Sequence, residues 1–171
     1  MNILANKAHY ESHLENYIVQ KLQAQGWVVG QSKNYHTEYA LYPEDLMAWI
    51  KTTQPQKWDN LFRQNGNNTE KRIIDRLDDE LNKKGTIHIF RNGFSMAGAG
   101  TIDLSESAPE DGRNQAVIDR YNANILRVVP QLKYHPSKDA GILDLVFFIN
   151  GLPMATVEIK TEFNQSLEDA I

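Results

Sequence analysis

The spacing of hydrophobic and polar positions changes along the chain. Residues 8 to 25, AHYESHLENYIVQKLQAQ, put Tyr10, Leu14, Tyr17, Ile18 and Leu22 at helical spacing, and Gly26 follows where a left-handed residue closes a helix. Residues 43 to 84 keep the helical period in pieces separated by breaks: PEDLMAWIKTT, QKWDNLFRQN and TEKRIIDRLDDELNKK, the last closed by Gly85. Ile73, Ile74, Leu77 and Leu81 make one stripe of that last helix, so its dense charge reads as a solvated outer face. From residue 86 the period shortens. TIHIFRN and TIDL read as short extended segments on either side of a flexible glycine turn in GFSMAGAG, and GRNQAVIDRYNAN reads as a helix. ILRVVPQLKY (125 to 134), LDLVFFIN (143 to 150) and MATVEIK (154 to 160) read as strands.

This order predicts a single α/β domain over residues 1–171. A mixed sheet is flanked by helices, with helix 8 to 25 against it and a helical insertion at about 43–84. A chain of 171 residues is long enough to bury a core without staples. Past Asn164-Gln165, Ser166 can cap a helix with Asp169 at its third position, but only Leu167 to Ile171 follow. A helix so short is unstable alone, so the chain is expected to be a fragment cut inside that element.

Composition narrows the function. No window approaches the run of about 18 apolar residues that spans a bilayer, and the N-terminus lacks the basic, apolar, small-residue order of a signal peptide. With no cysteine there is no disulfide framework, and a cytoplasmic location is expected. The formal charge of -4 gives no bulk basic footprint, so contact with nucleic acid would need a local patch or other domains. Arg91, Arg113, Arg120, Arg127 and Lys133 could supply such a patch if residues 86–135 pack near the last two strands; scattered surface charge is the alternative.

Those two strands, LDLVFFINGLPMATVEIK, carry the candidate chemistry. Asn150-Gly151 between apolar runs is a strong hairpin signal. A two-residue turn puts Asp144 opposite Val157, and one more loop residue puts it opposite Glu158. Either register brings the two carboxylates together at the end far from the turn, and Glu158 and Lys160 share a face by the strand period. Two close carboxylates repel unless a cation lies between them. Mg²⁺ would take oxygen from Asp144, Glu158 and a main-chain carbonyl such as that of Ile159. It would then activate water and neutralise phosphate charge, with Lys160 stabilising the developing anion. The alternative is an ion pair of Lys160 with Asp144 or Glu158 at the strand end. On the first helix, Glu11 and Glu15 fall within the arc of Leu14, Ile18, Val19 and Leu22, so one of them could face the sheet, or both could reach solvent.

Asp144, the Glu158-x-Lys160 unit and the leading helix resemble the PD-(D/E)xK nuclease superfamily. LDLVFFINGLPMATVEIK, preceded by Asn124 to Tyr134 and by GTIHIFRNGF, resembles more specifically the N-terminal nuclease domain of the restriction (R) subunit of type I restriction-modification enzymes. The resemblance covers residues 85–171 and, more loosely, the first helix. It implies a restriction-endonuclease-like fold and Mg²⁺-dependent cleavage of double-stranded DNA. Asp144, Glu158 and the Ile159 carbonyl would hold the metal, with Lys160 as the catalytic lysine and Glu15 as the first-helix acidic residue; Glu11 is its reserve. It also implies methyltransferase and specificity subunits as partners, and an ATP-driven motor outside this chain. The chain departs from the family at Leu143, where a proline is usual. The family's Gln-x-x-x-Tyr motif would fall past Ile171, and Gln165 is too early to serve as its glutamine.

Other signals are weaker. His9 and His13 are spaced i, i+4 but match no zinc motif and lack a third ligand. GFSMAG is not a nucleophile elbow, and no G-x-x-x-x-G-K-[ST] occurs, so the chain is not expected to bind ATP. The competing classes are a nuclease-like module that binds DNA or partner subunits without cleaving, and a repair or recombination nuclease of the same superfamily.

Overall fold

The computed structural model describes residues 3–135 and 141–160. The expected helix after Ser166, Gln165, and the side chains of His9 and Tyr10 lie outside what is described.

Helix α1 (Ile3–Ala24) ends as its glycine predicts. Gly26 adopts a φ of 92°, and the Trp27 N–H reaches back to the Leu22 carbonyl. The chain enters β1 (Val28–Val29) and then the helices α2 (Pro43–Thr53), α3 (Pro55–Asn65) and α4 (Thr69–Lys84). Pro43 and Pro55 each stand in the first helical turn, where a missing N–H costs nothing. Next come α5 (Thr86–Asn92), β2 (Phe94–Met96), β3 (Gly100–Ile102), α6 (Gln115–Asn122), β4 (Leu126–Lys133), β5 (Ile142–Ile149) and β6 (Leu152–Val157). The main sheet has the order β1-β4-β5-β6, with β1 parallel to β4 and the other pairs antiparallel, so the mixed α/β reading holds. β2 and β3 form a separate two-stranded ribbon around the glycine turn.

One element differs from expectation. TIHIFRN is helical, not extended. Its T-I-H-I alternation mimics a strand, yet Ile89 is fully buried and Ile87 is exposed, which a two-residue period cannot produce. Gly85 and Gly93, both at positive φ, bracket this short helix, and it packs Ile89 into the core formed by α2, α3 and α4. Tertiary packing therefore overrides the local pattern. Strand β6 also stops at Val157, so Glu158 and Lys160 lie just past its end and not within it.

The sheet buries both faces. Val128, Leu145 and Ile159 pack under Ile18, Val19 and Leu22 of α1. Val129, Leu132, Val146 and Phe148 pack with Tyr42 on the other side. Of the expected α1 stripe, Leu14 and Tyr17 are exposed.

The turn end of the β5–β6 hairpin is tied by buried hydrogen bonds and a close backbone approach. Asn150 and Gly151 both take positive φ, the conformation that a two-residue hairpin turn demands. The Asn150 side chain, fully buried, accepts from the Ile125 N–H at 2.7 Å and donates to Leu104 O at 2.9 Å and Asn124 Oδ1 at 2.8 Å. A Cβ on Gly151 would lie 2.5 Å from the Tyr42 carbonyl oxygen, so the close approach of α2 requires glycine there. Nearby, Arg127 makes a buried two-pronged pair with Asp45, both contacts at 2.6 Å, and stacks over the Tyr42 ring. Burial opposes its charge, but the bonding and charge of Asp45 outweigh this and hold the guanidinium pKa above its ordinary value.

Candidate active site

The opposite end of the hairpin carries the charges singled out by the sequence. Asn150-Gly151 is a two-residue turn, but the ladder shifts between Phe147 and Phe148, passing over Met154. Leu145 therefore pairs with Val157, and one step further Asp144 comes level with Glu158. The extra residue enters as a bulge in the strand rather than as a longer loop.

A second irregularity decides where Asp144 points. Strand side chains alternate between faces, so residues an odd number apart belong on opposite faces. Yet Leu143 and Val146 pack in one cluster, as do Val129 and Leu132 on the neighbouring strand. Both strands thus lose alternation once, at the level of Gln131 and Asp144. The cause on β4 is Gln131, a non-glycine residue with a φ of 50°. The phase change turns Gln131 and Asp144 toward α1 and away from the Tyr42 core.

There they meet the helix. Gln131 Nε2 donates to Glu15 Oε2 and, at 3.3 Å, to Asp144 Oδ1. Asp144 Oδ2 accepts the main-chain N–H of Ile159 at 2.7 Å. Glu11, Ser12, Glu15, Gln131, Asp144 and Ile159 line one recess of about 310 Å³. Glu11 and Glu15 are half-buried while Leu14 faces solvent, so charge, not leucine, takes the helix face over this part of the sheet.

Glu158 and Lys160 stand beside this recess without lining it. Ile159 between them is buried under α1, while Glu158 and Lys160 on either side of it are exposed. Their charged groups lie 3.9 Å apart and are about a third exposed (35% and 37%). The structure therefore brings Glu15 and Asp144 to one point through Gln131, with Glu158 and Lys160 on either side of Ile159 next to it. Among the described residues no set of three or more histidine, aspartate or glutamate side chains is grouped as metal ligands.

The donor chemistry of the recess still suits a hard divalent ion: oxygen from Glu15 and Asp144, with the main chain of Ile159 at its wall. The Gln131 amide already places N–H dipoles between the two carboxylates, the position in which a cation would relieve their repulsion. Gln131 carried no role in the sequence reading. Its register opposite Asp144 follows from the ladder, but a left-handed glutamine inside a strand has no sequence signature.

The arginines of the expected patch are largely committed elsewhere. Arg127 is buried against Asp45. Arg120 pairs with Glu106 at 2.9 Å and lies 3.6 Å from Asp103. Arg113 pairs loosely with Asp111 at 3.5 Å, and Arg91 lines a separate cavity with Asp103 and Glu106. Lys133 is exposed on β4, two residues from Gln131. No helix among the described residues is long and apolar enough to cross a membrane.

Compared with known families, residues 10–171 match the model for the type I restriction enzyme R protein N terminus. Neither the curated proteins nor the solved structures compared with the chain gave a match.

Proposed function

The chain belongs to the family of type I restriction enzyme R protein N termini, and on that premise we propose that it is the Mg²⁺-dependent endonuclease domain of such a subunit, cleaving double-stranded DNA. The observation that carries this reading is the meeting of Glu15 and Asp144, 129 residues apart in sequence, in one recess at the open end of the hairpin. Type I R-subunit domains fit DNA and complex subunits as partners in general. The methyltransferase and specificity subunits are the partners proposed here, and ATP would be bound by motor domains outside this chain.

In this mechanism Glu15 and Asp144, with the Ile159 main chain, would hold Mg²⁺, and Glu158, level with Asp144 beside the recess, would supply a further carboxylate. The ion's chemistry when bound is to acidify a water and to neutralise charge on the phosphate under attack. Asp144 is oriented by the Ile159 N–H, which fixes one carboxylate oxygen and leaves the other turned to the recess. Lys160, about a third exposed and 3.9 Å from Glu158, would donate to the non-bridging phosphate oxygen as negative charge grows there. α1 covers the apolar face behind the site through Ile18 and Leu22 and so positions Glu15.

A second reading is a nuclease-like domain that binds DNA or partner subunits without cleaving, and the placement of Glu158 outside the recess favours it. Plasmid cleavage by the full-length protein in its complex separates the two. Glu15→Ala and Lys160→Ala each abolish cleavage while leaving DNA binding in place if the domain is the nuclease. Unchanged cleavage in both variants supports the non-cleaving module.

A further inference from the structure

Gln131 joins two unusual facts. It takes a backbone conformation that L side chains rarely adopt, and its amide nitrogen serves two carboxylates from different elements at once. Only an N–H group can donate to both oxygens, so the nitrogen end of the amide must face the pair whichever way the group is drawn. In the Gln131 position the left-handed backbone aims the side chain at α1. A strand residue in ordinary geometry would aim it at the opposite face, the one that Val129 presents to Tyr42 and Val146.

We infer that Gln131 is a positioning residue: its amide holds the Glu15 and Asp144 carboxylates at one point and yields that point to a divalent cation. This rests on the metal-dependent reading above. Without a cation, Glu15 and Asp144, with Glu11 in the same recess, would repel and loosen α1 from the sheet, and the amide dipole offsets this between Glu15 and Asp144. With a cation present, the same N–H groups would point at a positive charge, so the side chain must turn its oxygen inward or swing away. Glutamine suits both states because it offers a donor and an acceptor on one rotatable group. A cation held continuously would favour a carboxylate at this position, whereas glutamine lets helix and strand stay docked in either state.

The test is hydrogen exchange in the full-length protein without nucleotide, followed in peptides from α1 and β5, in chelator and across a Mn²⁺ titration. Gln131→Gly keeps the positive φ and removes only the side chain, and Gln131→Glu replaces the donor with a further negative charge. In chelator both variants should exchange faster in α1 than the parent, with Gln131→Glu the faster. Saturating Mn²⁺ should return both to parental protection, and Gln131→Glu should reach half-protection at a several-fold lower Mn²⁺ concentration than the parent. A residue that merely packs would loosen α1 equally with and without Mn²⁺ and would leave the Mn²⁺ midpoint unmoved, which overturns the inference. Parental exchange in chelator for both variants overturns it as well. Mn²⁺ that protects neither parent nor Asp144→Ala removes the metal reading and the second half of the inference with it, while the chelator arm still decides whether Gln131 holds the pair.

Discussion

The two ends of the β5–β6 hairpin are built on opposite terms. At the turn end the central polar groups are buried and bonded: Asn150 satisfies three partners, and Arg127 and Asp45 close a two-pronged pair beneath Tyr42. At the open end the polar groups are half-buried or exposed, Asp144 and Glu15 share a single amide, and Lys160 lies 3.9 Å from Glu158. Buried polar groups with full partner sets fix geometry, because losing any one leaves the rest desolvated and unpaired. Half-solvated groups with spare lone pairs are inexpensive to rearrange and remain available to a ligand. One end of the hairpin therefore anchors, and the other is free to do chemistry.

Substitutions should expose this contrast, the largest effect on stability coming first. Asp45→Ala strands the Arg127 guanidinium in the interior and should cost about 3–5 kcal/mol in denaturant unfolding. Asn150→Ala leaves the Ile125 N–H and Leu104 carbonyl without their side-chain partner, with an expected loss of about 3 kcal/mol. At the open end, Asp144→Ala should change stability by no more than about 1 kcal/mol, since the groups it frees can reach water. If Asp144→Ala destabilised as much as Asn150→Ala, the division between anchoring and reactive ends would fail. The smallest effect lies away from both, on the charged face of α4. The hydrogen bond from Lys71, then that from Tyr39, holds the Asp75 carboxyl below its ordinary range, and Lys84 does the same for Glu80 against the opposing effect of burial. A lowered folded-state pKa gives stability that is present above the unfolded value and is lost as pH falls through the folded one. The melting temperature should accordingly decline below about pH 4, and Lys71→Ala should make that decline shallower.

Much of the hairpin was legible because its signals are local. Asn150-Gly151 specifies a turn by its own φ preferences, and the alternation of LDLVFFIN against MATVEIK gives the pairing partners. The helices from 43 to 84 were legible for the same reason, their breaks marked by Pro43, Pro55, Gly66 and Gly85. Three features were not. The helix at Thr86–Asn92 carries a strand-like alternation and owes its state to glycines at both ends and to a pocket for Ile89. Arg127 looked like a surface cation because nothing in its neighbourhood announces Asp45, 82 residues away. The direction of Asp144 depends on a phase change shared by two strands and set by the backbone of Gln131, so the two-residue period, correctly applied, pointed its carboxylate at Glu158 rather than at Glu15.

The central claim is that the open end of the hairpin is a nuclease site. Its most direct test is Mg²⁺-dependent cleavage of plasmid DNA by the full-length protein in its restriction complex, parent against Asp144→Ala, with DNA binding followed in parallel. The account predicts that cleavage falls by more than the about 10–100-fold typical of removing a group that only supports a metal ligand, with DNA binding retained. Parental cleavage by Asp144→Ala would contradict it and leave the charges at this end of the hairpin as solvated groups beside a folded anchor.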